Sequence, residues 1–117
     1  MIYMNLKRTI LFFIVVISTL TLAQNEVCLD IESNPDPLDP ALNSFSKYVN
    51  VLDCFHIYAE SSISDAKVLH AAVVAAELLD NNEDGIIDDH LLKAELQSSE
   101  AMMPLFSSDW SPAMDDV

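Results

Sequence analysis

The chain has 117 residues, with 19 acidic and five basic side chains and a net charge of −14. This charge argues against nucleic acid and anionic membranes as partners, because both require a basic surface. It favours solubility and the binding of divalent cations instead. The length is enough for one small domain.

Residues 1–23 have the three parts of a secretory signal peptide. Lys7 and Arg8 make a positive start, residues 9–22 are almost wholly apolar, and Ala23 supplies a small residue for cleavage. The apolar run of about 13 residues is short of the ~20 that span a bilayer. We therefore expect a secreted or periplasmic protein, with an uncleaved membrane anchor as the alternative. Cleavage would leave three lysines against 19 acids, a net charge of −16.

Cys28 and Cys54 are the two cysteines of the chain. Export would place them in an oxidising compartment, where a disulfide between them would stabilise the fold by about 3 kcal/mol. They do not form a Cys-x-x-Cys motif, so the sequence supports neither a redox motif nor a zinc ribbon.

The predicted domain is preceded by an extended acidic and proline-rich tether at residues 24–38, which has no periodicity. Asp39 is then placed as a helix N-cap, with Pro40 at the first helical position. The apolar residues of this first helix recur at helical spacing and are Ala41, Leu42, Phe45 and Tyr48.

Alternating β-branched, aromatic and small side chains predict an extended strand over residues 49–59, with a break at residues 52–53. A second strand is predicted over residues 102–106. Residues 107–117 contain turn-forming residues without a pattern, so we expect an irregular tail.

Two further helices are predicted on either side of an acidic segment. The first begins at Ser64, has Asp65 in its first turn and ends near Leu79. Its apolar stripe consists of Leu69, Ala72, Val73, Ala76 and Leu79. The second begins near Asp88 or Asp89 and continues to about residue 98.

The acidic segment, residues 80–88, contains oxygen-bearing side chains at regular spacing. These are Asp80, Asn82, Asp84 and Asp88. Calcium takes six to eight oxygen ligands, and alternate residues of a tight loop can turn toward one centre. Gly85, the single glycine of the chain, stands where the loop must reverse with a positive φ. The spacing therefore predicts a calcium site.

The next two positions complete the pattern. The backbone carbonyl of Ile86 is the expected further ligand, and Ile87 is expected to point into the core. Over nine residues the segment resembles the loop of an EF-hand or of the related dockerins. The resemblance implies a metal site formed by Asp80, Asn82, Asp84, Ile86 and Asp88.

One position departs from that pattern. EF-hand loops end with a bidentate Glu three residues after Asp88, and dockerins have Asp there, whereas this chain has Leu91. Asp89, Glu95 or water would have to complete the coordination shell. We therefore expect weak calcium affinity, on the order of 10⁻⁴–10⁻³ M. The alternative is a turn rich in Asp and Asn that binds no ion.

Three segments, residues 45–49, 64–72 and 79–85, resemble the N-terminal region of a group of secreted bacterial proteins of unsettled activity. These proteins have the same order of helix, loop and helix and are longer than this chain. The resemblance implies that the chain could be the first part of a larger protein.

Catalytic chemistry is not indicated by any motif. His56, His70 and His90 lack the spacing of a zinc site, and no Ser-His-Asp, Cys-His or phosphate-binding pattern is present in the sequence. We therefore predict no catalytic or cofactor-binding residues, and whether the chain is an enzyme stays open.

These observations predict an α+β fold over residues 39–106, a helix–calcium loop–helix flanked by a small β element. The predicted function is a secreted calcium-binding module in which the ion fixes the angle between the two helices. One alternative is the N-terminal fragment of a larger secreted hydrolase whose catalytic residues lie beyond Val117. A dockerin-like adhesion module is less well supported, because dockerins have two loops. Calcium is the expected partner, and no protein partner is indicated.

Overall fold

The computed structural model describes residues 28–117, so the predicted signal peptide lies outside the described residues. The elements in chain order are β1 (Glu32–Ser33), β2 (Lys47–Val51), β3 (Phe55–Ala59), α1 (Asp65–Leu79), α2 (His90–Ser98), β4 (Met102–Leu105) and a short 3₁₀ helix (Pro112–Asp115). The class is α+β. None of the helices in this part of the chain is long and apolar enough to cross a membrane.

The four strands form one mixed sheet in the order β1-β2-β3-β4. β2 is antiparallel to both β1 and β3, whereas β3 and β4 are parallel. A parallel pair requires a long crossover connection, and residues 60–101, which include α1 and α2, provide it. Both edge strands have little capacity for further strand pairing, because β1 has two residues and β4 contains Pro104.

The strand predicted over residues 49–59 is a hairpin. Leu52 and Asp53 have φ values of 52° and 57°, and the Cys54 N–H donates to the Val51 carbonyl at 3.2 Å. Two successive left-handed residues match the twist of a tight hairpin turn. The predicted break at residues 52–53 is therefore the turn itself.

One face of the sheet packs against α1. Its buried residues alternate along the strands, as a half-covered strand requires, and α1 contributes side chains four residues apart. They are Val49, Val51, Ile57 and Ala59 on the sheet and Val68, Ala72 and Ala76 on α1. The apolar stripe of α1 is rotated slightly from the predicted one, because Val73, which was predicted to face the core, is 41% exposed.

The other face of the sheet, here called the loop face, has an aromatic core. Its buried residues are Leu42, Phe45, Tyr48, Tyr58 and Ala113. The Phe45 ring lies 6.2 Å from the Tyr58 ring and 5.6 Å from the Phe106 ring, centroid to centroid. The irregular segments before β2 and after β4 therefore pack together over this face.

The prediction of a helix beginning at Asp39 is wrong beyond its first turn. The Asp39 side chain does accept a bond from the Ala41 N–H, and the Asn43 N–H donates to the Asp39 carbonyl. Asn34 then intervenes, because its side-chain amide donates to the carbonyls of Leu42 and Phe45 at 2.7 and 2.9 Å. Those bonds fix the chain as a series of turns that leads directly into β2.

The prediction of a helix–loop–helix flanked by a small β element is also wrong. A four-stranded sheet forms the centre, and α1 uses its apolar side against β2 and β3. α2 contains no buried residue, so the two helices do not share a core. Both are parts of the crossover between β3 and β4.

The C-terminal segment and the cysteines complete the domain. Glu60, directly after β3, accepts hydrogen bonds from the Ser111 hydroxyl at 2.5 Å and from the Ser107 N–H. Cys28 is exposed and Cys54 is buried, and both are free thiols. The expected disulfide is therefore absent from the described part of the chain.

Candidate metal centre

The acidic loop of residues 80–88 connects α1 to α2 inside the crossover. α1 ends when the Asp80 N–H donates to the Ala76 carbonyl at 2.9 Å. The Asp88 N–H then returns to the carbonyl of Leu79 at 3.1 Å. The two ends of the loop are thus hydrogen-bonded to each other, and the loop forms a closed turn of chain.

Asp80 is the buried centre of this loop, with 3% of its surface exposed. Its Oδ1 accepts from the Asp84 N–H at 3.2 Å, and its Oδ2 accepts from the Gly85 N–H at 2.6 Å. A buried carboxylate is stable only when its oxygens are hydrogen-bonded, and the turning backbone supplies those bonds.

Asn82 and Asp84 each form a local turn with their own backbone. The Asn82 Oδ1 accepts from the Asp84 N–H at 3.0 Å, and the Asp84 Oδ1 accepts from the Ile86 N–H at 2.9 Å. Asp and Asn favour this geometry because their short side chains reach the amide two residues on. The alternate spacing of Asn82 and Asp84 in the sequence therefore corresponds to two successive turns of the backbone.

Gly85 and Ile87 lie as the sequence predicted. Gly85 has a φ of 83°, in the region that favours glycine, and Ile87 is fully buried. Glu83 also has a positive φ, of 58°. Ile87 anchors the loop to the domain, while the neighbouring Ile86 side chain is exposed.

Asp88 faces the start of the loop. Its Oδ2 accepts from the backbone N–H of Asn81 at 2.9 Å and from the Asn81 side-chain amide at 3.1 Å. Asn81 was not among the predicted site residues, since it lies at a position where the loop pattern accepts any residue. This contact engages one oxygen of the Asp88 carboxylate within the loop.

The residues that follow the loop begin α2. The Asp89 Oδ1 caps α2 by accepting from the N–H groups of Leu91 and Leu92. Leu91, at the departure from the EF-hand pattern, is 83% exposed. Of the completions suggested by the sequence, Asp89 is therefore already engaged as a helix cap.

The ligand types fit a hard cation, because the site residues offer oxygen and neither nitrogen nor sulfur. A carboxylate oxygen that accepts one hydrogen bond also keeps a second lone pair. The spatial arrangement of these side chains fits a metal site less well than their chemistry does. Across residues 28–117, no group of three His, Cys, Asp or Glu side chains, the loop aspartates included, is placed to hold a metal ion.

The three histidines lie on three different elements. His56 on β3 contacts the Tyr48 hydroxyl through Nδ1 at 2.7 Å, while His70 and His90 are exposed on the two helices. This arrangement offers no basis for a zinc site among the described residues.

No family model matches the chain, and no curated protein or solved structure matches it either.

Proposed function

We propose that the chain is a secreted calcium-binding module in which the ion orders the loop of residues 80–88. The observation that carries the proposal is the position of Asp80, buried beneath the loop with its carboxylate on the amides of Asp84 and Gly85. A loop already turned around one buried carboxylate holds part of the geometry that an oxygen-seeking cation requires.

The residues that would hold the ion are those of the loop pattern, listed as Asp80, Asn82, Asp84, the Ile86 carbonyl and Asp88. Calcium would draw together carboxylates that otherwise repel each other. Asp88 is the side chain that must exchange a partner, because its Oδ2 bonds to Asn81. That exchange, together with the missing oxygen at Leu91, accounts for a weak site.

The consequence of binding would be local. Because α2 has no buried residue, the ion cannot act by setting an angle between two packed helices. It would instead rigidify the crossover segment that connects β3 to β4. Metal binding to the folded state then adds to the free energy of unfolding by mass action.

The test is calorimetric titration of the purified chain with calcium chloride at constant ionic strength, with thermal unfolding measured in parallel. A dissociation constant of about 1 mM predicts stabilisation by about 1.4 kcal/mol at roughly 10 mM calcium. For a domain of this size that raises the melting temperature by roughly 6–10 °C. Magnesium at the same concentration should have a smaller effect, since it demands stricter geometry.

Three variants make the test specific. Asp84→Asn should weaken binding, whereas Asp109→Asn, with the same charge change far along the chain, should not. Leu91→Glu restores the missing carboxylate at an exposed helix position and should tighten binding at least about tenfold. Binding by Asp84→Asn and Leu91→Glu at the affinity of the parent, or no binding by the parent chain at about 10 mM calcium, would show that the loop is a bare turn.

A further inference from the structure

The chain contains a single Asp-Gly step, Asp84-Gly85. The carboxyl carbon of an aspartate can close a succinimide ring with the backbone nitrogen of the next residue. A side chain on that next residue hinders the closure, and glycine has none. Because Gly85 is the one glycine of the chain, ring closure is least hindered at this step.

The structure holds the two reacting groups of this step in place. The Asp84 Oδ1 accepts from the Ile86 N–H at 2.9 Å, and this bond folds the carboxyl back over the Gly85 peptide. The Gly85 N–H donates to the Oδ2 of the buried Asp80 at 2.6 Å, which fixes the orientation of the attacking nitrogen. Groups that are held together react faster than groups that meet by free rotation of the chain.

Water has access to the same step. The Asp84 side chain is exposed, and so are Glu83 before it and Ile86 after Gly85. Water is the only co-reactant that ring closure and ring opening require, so the chemistry depends on no bound ligand.

We propose that Asp84 isomerises to isoaspartate in the folded chain, through a succinimide with Gly85. The Gly85 nitrogen bonds to the Asp84 Cγ, and the amide proton leaves with the carboxyl hydroxyl as one water. A second water then opens the ring. Attack at Cγ restores aspartate, whereas attack at the Asp84 main-chain carbonyl carbon breaks its bond to the Gly85 nitrogen. The main chain then runs through Cγ, with no transfer of electrons and no change in composition.

The product differs from the parent chain in the length of the loop. Isomerisation adds one methylene to the main chain and leaves a carboxylate attached directly to the Asp84 Cα. The ends of the loop are joined by the bond from the Asp88 N–H to the Leu79 carbonyl, so the extra length must be absorbed within residues 80–88. The isomerised chain therefore carries a second form of the loop at the same mass.

The test incubates the purified chain in EDTA at neutral pH, well below its melting temperature, with a parallel sample in urea. EDTA keeps the loop free of calcium, so the result does not depend on the calcium proposal. Electron-transfer fragmentation in a mass spectrometer distinguishes isoaspartate from aspartate at each position. We expect isoaspartate at position 84 to form about ten times faster than at Asp109, which is also exposed but precedes Trp110.

We also expect isoaspartate at position 84 to form faster in the folded chain than in urea, because the hydrogen bonds of the loop hold the reacting groups together. A rate at position 84 no higher than at Asp109 would overturn the proposal. A rate in the folded chain equal to or below the rate in urea would overturn it as well, since the loop would then give the reaction no assistance.

Asp84→Asn provides a faster version of the same test. Its amide keeps an acceptor for the Ile86 N–H and closes the same ring with loss of ammonia. Deamidation at position 84 should be at least about tenfold faster than isomerisation of the parent, because a carboxylate must take up a proton before its oxygen can leave.

Asn82 is the internal control in that variant. Its Oδ1 accepts from the Asp84 N–H at 3.0 Å in the same kind of turn, but Glu83 follows it. Its amide should stay intact while the amide at position 84 is lost. Equal loss at the two positions would show that Gly85 does not direct the reaction. Deamidation of position 84 in urea alone would show that the folded loop blocks ring closure, and either outcome would overturn the proposal.

Discussion

The two faces of the sheet are covered by different kinds of structure. One face packs against a regular helix, α1, through small and β-branched side chains. The loop face packs against irregular segments through the rings of Phe45, Tyr48 and Tyr58. Irregular backbone pairs fewer of its own polar groups than a helix does, and here the side chains of Asn34 and Glu60 bond to some of those that are left. On the loop face, aromatic packing and side-chain hydrogen bonds thus do what α1 does on the other face, where it buries apolar side chains and pairs its own backbone polar groups.

The largest effect is expected from Phe45→Ala. The Phe45 ring is fully buried between Tyr58 and Phe106. Its removal leaves a cavity, and the free energy of unfolding measured in urea should fall by about 3–5 kcal/mol. Phe45→Leu, which keeps much of the volume, should lose less than half as much. A loss below about 1 kcal/mol for the alanine variant would mean that the loop face adds little to stability.

A smaller effect is expected on the α1 face. Val68→Ala removes two buried methyl groups and should lower the free energy of unfolding by about 2 kcal/mol. Val73→Ala is the matched control, because it makes the same change on the same helix at a half-exposed position. Its effect should be within about 0.5 kcal/mol of zero. Equal losses in the two variants would contradict the packing of α1 described above.

The smallest effect concerns Glu60, which fastens the C-terminal segment to the loop face. Hydrogen bonds from Ser111, and then from Ser107, lower the pKa of its carboxyl below the usual value. The stabilisation is therefore complete above the unfolded pKa, about 4.3, and is lost as the pH falls through the lower folded pKa. Denaturation curves measured at several pH values between about 6 and about 3 will show this loss of stability.

Glu60→Gln removes the titrating group, so its stability should depend less on pH over that acid range than the stability of the parent chain. The exposed Glu95→Gln variant is the control and should follow the parent. Parallel curves for all three proteins would show that the Glu60 hydrogen bonds do not favour the folded state.

Much of the fold could be predicted from local signals. α1, α2 and β4 were found because periodicity and helix capping residues such as Asp89 act over a few positions. The turns of residues 39–46 were mistaken for a helix, because the bonds from Asn34 that interrupt it come from outside the segment. The parallel pairing of β3 with β4 has no local signal either, and it determines the architecture.

The candidate site divides in the same way. Gly85 and Ile87 were placed by pattern alone, because a positive φ and an apolar anchor are properties of single positions. The bond between Asp88 and Asn81 was not foreseen, since either residue could face several partners. No local signal in the sequence places His56 and Glu100 in the lining of one cleft, because the crossover between β3 and β4 brings them there.

The edges of the sheet have a consequence for the behaviour of many copies together. An exposed strand edge is a template for pairing with other chains, and long flat edges lead to fibrils. Here β1 is two residues long, and β4 has Pro104, which lacks an N–H to donate. Strand addition is therefore discouraged at both ends, and the high negative charge of every copy adds repulsion. The molecule is protected against self-templated aggregation by its architecture as well as by its composition.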